Sequence, residues 1–137
     1  MKKVLAGGAF NLVHPGHVFF LEKARKLGDC LVVVVASDKT VLNRKGFVLM
    51  PAEARREVVA SLKPVDRAVI GDDNDFFRVV KKEKPSIIAL GYDQEMEESV
   101  ATRLANSCFK CRIVRIKQIG EYKTEKILSS LGKRASR

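Results

Sequence analysis

Gly7-Gly8-Ala9-Phe10-Asn11-Leu12-Val13-His14-Pro15-Gly16-His17 follows the first apolar segment of the chain and leads straight into a helical pattern. It holds the only two histidines of the protein, set around a Pro-Gly pair. A strand exit, a glycine-rich turn and a helix start in this order open an α/β fold. Such a turn offers backbone N–H groups and the positive end of a helix to an anion. Two imidazoles at that place add donors for phosphate oxygens and for charge that builds on phosphorus. Gly16 lets a nucleotide approach closely, Gly8 does the same for the preceding turn, and Pro15 stiffens the link between the histidines. The residues therefore point to phosphate chemistry on a nucleotide. A purely structural reading has His14 capping the helix and His17 packing on its first turn.

Working outward, strand and helix patterns alternate along the whole chain, which predicts a parallel sheet covered by helices. The expected strands are residues 3–7, 31–36, 67–70, 86–90 and 112–116. The β-branched run Leu31-Val32-Val33-Val34-Val35 reads as a central strand buried on both faces. Helices are expected over 16–27 (with Gly28 as its stop), 51–62, 75–83, 96–107 and 124–131. Residues 37–50, polar and basic with Asn43-Arg44-Lys45-Gly46 in the middle, read as a mobile loop. The fold class is thus a Rossmann-like three-layer sandwich with a mostly parallel five-stranded sheet. In such sheets ligands bind beyond the carboxyl ends of the strands. Residues 8–17, 37–46, 71–75, 91–95 and 117–124 all belong there, so His14, His17, Arg44, Lys45, Asp93 and Thr124 are expected to converge.

The 137 residues suit one domain, residues 1–131, followed by a basic tail at 132–137. The formal charge of +10 favours anionic partners, nucleic acid or phosphorylated small molecules. No aromatic residues interleave with the basic ones in the way that stacks bases, so nucleic acid is not the expected partner. No apolar run spans a bilayer and the start lacks the apolar core of a secretory signal, so no membrane association and a cytoplasmic location are expected. Three cysteines, Cys30, Cys108 and Cys111, do not make a disulfide framework. The lone C-x-x-C at 108–111 has too few ligands for zinc, and no metal-ligating residue set is assigned.

The remaining candidates are basic or acidic groups at strand ends. Arg44 and Lys45 suit a polyphosphate, closing over it on a flexible segment. Arg55 and Arg56 are adjacent on a helix, so only one of them is expected to face the site. Asp93, after Gly91, suits a ribose, a metal-bound water or an amine. Asp72, Asp73 and Asp75 are assigned mostly to turns and a helix cap.

The segment G-A-F-N-L-V-H-P-G-H resembles the first motif of the cytidylyltransferase-like nucleotidyltransferases, usually G-T-F-D-x-x-H-x-G-H. Arg55-Arg56-Glu57, Leu62-Lys63-Pro64-Val65-Asp66 and the run from Pro85 to Gln94 look most like the archaeal FAD synthase branch, with glycerol-3-phosphate cytidylyltransferases as near relatives. The resemblance implies transfer of a nucleotidyl group from a nucleoside triphosphate to a phosphorylated acceptor. Pyrophosphate leaves, with the help of a divalent metal, most simply Mg²⁺. ATP and FMN are the first choice of substrates, CTP and glycerol 3-phosphate the second, and a nucleotide-binding regulator without catalysis the third. Carried onto this chain, the catalytic residues are His14, His17, Lys45 and Arg55. The nucleotide is bound by Ala9, Phe10, His14, Pro15, Gly16, His17, Asp93, Gly120 and Thr124. A homodimer is the family default. Three positions depart from the pattern: Ala9 lacks the hydroxyl of the usual Thr and Asn11 lacks a carboxylate that helps hold metal. The last motif, Gly120-Glu121-Tyr122-Lys123-Thr124, keeps one clear hydroxyl.

Overall fold

The computed structural model describes residues 2–91, 94, 103–104, 110–117 and 130–131. Its elements run β1 (Lys3–Gly8), α1 (Pro15–Arg25), β2 (Cys30–Val35), α2 (Asp38–Lys45), α3 (Ala52–Ala60), β3 (Arg67–Ile70), α4 (Phe76–Glu83), β4 (Ile87–Leu90) and β5 (Arg112–Arg115). The five strands form one sheet in the order β3-β2-β1-β4-β5. Every pairing is parallel, with Gly8 opposite Val35 and Leu5 opposite Ile88. This is the expected fold. The order reverses between β1 and β4, so a crevice opens beyond the ends of those two strands.

The period of two along β2 divides the core between two layers. Leu31, Val33 and Val35 join Val4, Ala6, Leu21, Ala24 and Val59 on the face covered by α1 and α3. Val32 and Val34 join Leu5, Ile88, Phe77 and Val80 on the face covered by α4. Three layers result. Gly28 is not the helical stop expected of it, because α1 already ends at Arg25. A Cβ on Gly28 would lie 2.7 Å from the Lys2 carbonyl, so close passage of the chain beneath β1 requires glycine.

Within residues 37–50, expected to be a mobile loop, Asp38–Lys45 form a helix, and the stretch after Gly46 is neither helix nor strand. Ser37 caps α2 by accepting from the Thr40 N–H, Val41 buries itself, and Gly46 ends the helix in the left-handed region at φ 83°. Arg44 and Lys45 sit in the last turn, where cations complement the helix dipole. The polar composition hid these signals: one buried valine is a thin apolar stripe for eight residues.

Below the sheet, Lys3 and Arg67 begin β1 and β3 and both bind the buried carboxylate of Glu83 at the end of α4. Above it, Arg55 of α3 is completely buried. Its Nε donates to the Met50 carbonyl (2.8 Å), Nη1 to the Ala9 and Ala36 carbonyls (2.7 and 2.8 Å) and Nη2 to Asp38 Oδ1 (2.7 Å). The same Asp38 oxygen accepts from Ala52 N–H at 2.9 Å, at the start of α3. One guanidinium thus joins the exits of β1 and β2, the start of α2 and the entry to α3.

Two stability outcomes follow. Arg55→Ala leaves several buried acceptors without a donor and is expected to cost about 3–5 kcal/mol, with Lys restoring little because an ammonium cannot span the four acceptors; thermal or urea unfolding reads this. For Glu83, burial opposes ionisation, but the Arg67 and Lys3 bonds outweigh it and hold its carboxyl below the ordinary range. Its contribution is therefore complete above the unfolded carboxylate value of about 4.3 and is lost as pH falls through the lower folded value. Glu83→Gln is expected to cost about 1–2 kcal/mol at neutral pH and to flatten the acid limb of a melting-temperature profile.

Candidate active site

The turn between β1 and α1 is built on a residue in an uncommon conformation. Phe10 has φ 53°, a left-handed value rare for a side chain of this size, and its ring is buried. A Cβ on Gly8 would lie 3.1 Å from the Phe10 ring, so Gly8 admits the folded-back aromatic. Phe10 in turn packs beside the His17 imidazole, ring centroids 5.1 Å apart.

His14 is the N-cap of α1. Its Nδ1 accepts from the Gly16 N–H at 3.1 Å, and His17 Nδ1 accepts from the His14 N–H at 3.2 Å. Pro15 fills the first helical position, where a missing N–H does no harm. The pattern is a capping box made from two histidines instead of Ser and Glu. It also settles the tautomer. A ring nitrogen that accepts carries no proton, so the neutral imidazoles hold theirs on Nε2. The ring centroids lie 3.9 Å apart with the planes at 33°, so the two imidazoles sit together at the N-terminus of α1. No acidic residue occupies the first turn to neutralise it. The capping role of His14 is therefore observed, and His17 shares in the cap.

The other candidates divide. Ala9 lies on this turn with its carbonyl engaged by Arg55, so a backbone contact from Ala9 to a nucleotide falls to its N–H. Arg44 and Lys45 are exposed at the end of α2, which follows β2 on the same side of the sheet as the histidine turn. Arg55 is corrected from phosphate ligand to scaffold: with no exposed surface and four acceptors already satisfied, it does not reach a bound nucleotide. Arg56 pairs with Glu53 along α3. Asp72 accepts from the N–H groups of Asn74 and Asp75, bonds that hold its carboxyl below the ordinary value, and Asp75 caps α4. Asp93, Gly120, Thr124 and Cys108 lie outside the described residues. Cys111 is half-buried, which pushes its thiol up and away from reactive thiolate.

Sequence reasoning missed Gln94. Its amide bridges the exits of the adjacent strands β1 and β4: Nε2 donates to Gly7 O and Oε1 accepts from Gly91 N–H, both at 2.8 Å. Arg115 at the end of β5 donates to the carbonyls of Gly91 and Gln94. The signal was present in Gly91-Tyr92-Asp93-Gln94 at a strand end, yet nothing in spacing says that a glutamine turns back onto β1. Among the described residues no group of three His, Cys, Asp or Glu side chains gathers around a point where a metal would sit. No helix among them is long and apolar enough to cross a membrane.

Comparison with known proteins agrees with this geometry. The family model described as cytidylyltransferase-like matches residues 5–135. The chain is 52% identical over 118 residues to a protein of Ferroglobus placidus named FAD synthase, covering 85% of this chain and 77% of that one. It is 48% identical over 122 residues to an FAD synthase of Aciduliprofundum boonei, covering 88% and 82%. A solved structure from Thermoplasma volcanium, described as a lipopolysaccharide core biosynthesis protein, superposes with a TM-score of 0.82 at 38% identity over 88% of this chain and 99% of that one. A histidine-capped turn at the head of an all-parallel sheet, matched from the first strand almost to the last residue, makes this chain a member of the cytidylyltransferase-like family.

Proposed function

We propose that this nucleotidyltransferase joins the AMP moiety of ATP to the phosphate of FMN, giving FAD and pyrophosphate. The observation that carries the reading is the paired imidazole cap of α1, in a chain about half identical to proteins named FAD synthase. An FMN phosphate oxygen attacks the α-phosphorus of ATP in line. A new P–O bond forms as the bond to the bridging oxygen of the β-phosphate breaks, and that oxygen leaves with pyrophosphate. Negative charge grows on the equatorial and leaving oxygens.

The Nε2–H groups of His14 and His17 donate to those oxygens, and the N-terminus of α1 adds its positive end. Because backbone bonds hold both rings in place, little reorganisation is needed as charge develops. Arg44 and Lys45 approach the β- and γ-phosphates from the end of α2. Mg²⁺ is taken to arrive with the triphosphate, since this ion keeps waters and binds chiefly through substrate phosphates; no step above depends on a protein metal site. A homodimer, the default of the resembled family, and a cytoplasmic location complete the proposal.

Pyrophosphate release with ATP or CTP, each paired with FMN or glycerol 3-phosphate in Mg²⁺, tests the assignment. Turnover is expected with ATP and FMN; turnover only with CTP and glycerol 3-phosphate would move the chain to the second substrate pair, and none at all would leave a different acceptor or the non-catalytic regulator. His17→Ala is expected to lower turnover by roughly 10²–10³. His14→Asn separates the two roles of that ring. The Asn oxygen keeps an acceptor for the cap, so the melting temperature should stay near wild type while turnover falls with the lost Nε2–H.

A further inference from the structure

Asn11 is 4% exposed and lies on the turn that carries the histidines, with both ends of its amide in use. Nδ2 donates to the Phe47 carbonyl at 3.1 Å, and Oδ1 accepts from the Leu49 N–H at 3.3 Å. A backbone carbonyl only accepts and an N–H only donates, so these two partners fix which way the amide faces. An ionised carboxylate fails the same test. It has no hydrogen to donate, and one of its oxygens would face the Phe47 oxygen.

The strapped segment begins where α2 ends. Gly46 turns the chain in the left-handed region, and the exposed Arg44 and Lys45 sit just before it. At its far end Met50 is held by Arg55. Phe47, Leu49 and Met50 are therefore tied down in succession, the first two by Asn11. The strap to Phe47 lies two residues beyond Lys45.

We propose that Asn11 is a positioning residue for the nucleotide. Its neutral amide fastens the segment after α2 to the histidine turn and so fixes where Arg44 and Lys45 meet the triphosphate. This rests on the function proposed above. It makes Asn11 a requirement of this chain: the aspartate that the resembled motif usually carries is the wrong residue against Phe47 and Leu49.

The experiment follows Asn11→Asp from about pH 8 down to about pH 5, across the range where a buried carboxyl takes up its proton. Melting temperature, KM for ATP and kcat with FMN are each read relative to wild type at the same pH. At the upper end the KM should be raised about tenfold, the equivalent of one lost buried hydrogen bond, with kcat changed less and the melting temperature lowered. As pH falls, the protonated carboxyl donates to Phe47 again, and the KM and melting temperature return toward wild type. Asn11→Ala, which no proton restores, keeps its deficit throughout.

A double-mutant cycle reads the route of the effect. In an Arg44→Gln, Lys45→Gln background, Asn11→Ala should add little further to the KM. Asn11→Asp matching wild type at every pH overturns the proposal, as does an Asn11→Ala penalty undiminished in that background. The melting curves need no substrate. If the wild-type chain fails to turn over ATP and FMN, it is the proposed function that falls, while the pH dependence still decides the strap.

Discussion

A guanidinium shut away from water must find its partners in the chain, and where it finds them fixes the shape of everything nearby. Arg55 is in that position, bound to three carbonyls and one carboxylate drawn from four separate segments. Desolvating its charge is costly unless each acceptor stays in place. The carbonyl of Ala9 is one of them. The histidine turn is therefore held from beneath by a cation shut away from the surface. The planar fork suits this task, since several donors at fixed angles can hold several acceptors at once.

On that base the histidines do two things with one geometry. Each ring spends Nδ1 on the backbone at the start of α1. The remaining proton is thereby placed on Nε2, and the ring is kept from swinging. Phe10 holds the turn in a left-handed conformation that a bulky residue seldom adopts, and its buried ring lies beside His17. Strain of this kind persists where surrounding contacts over-determine it, as at many active sites. Across the crevice the Gln94 amide joins the exits of β1 and β4. Neutral amides thus brace both rims of the site, Asn11 on one and Gln94 on the other, while charged groups do the scaffolding below.

The fold was legible because its signals are local. β-branched runs, proline and glycine boundaries and period-two burial all agree, and β3 was placed to the residue. The geometry of the histidine turn was legible for the same reason: strand exit, turn and helix cap lie within eleven consecutive residues. What escaped depends on contacts across the sequence. Arg55 looked like a phosphate ligand because an arginine on a helix near a strand end has two destinations, outward to an anion or inward to carbonyls, and spacing does not choose between them. Asp38–Lys45 were read as part of a loop over 37–50 because composition outweighed a Ser cap and a Gly stop that were both present. Asn11 registered as a missing carboxylate, since its partners at 47 and 49 are thirty-six and thirty-eight residues away.

The most direct test of the account is nitrogen NMR of the two imidazoles, which are the only ones in the chain and are separated by a His17→Ala spectrum. At mildly alkaline pH both rings should show the Nε2–H tautomer with Nδ1 as a hydrogen-bond acceptor. Added ATP should then shift the Nε2 signals while leaving the Nδ1 signals nearly in place. A proton on Nδ1 in either ring, or Nε2 signals indifferent to ATP, would contradict the claim that the helix cap aims both imidazoles at the phosphates.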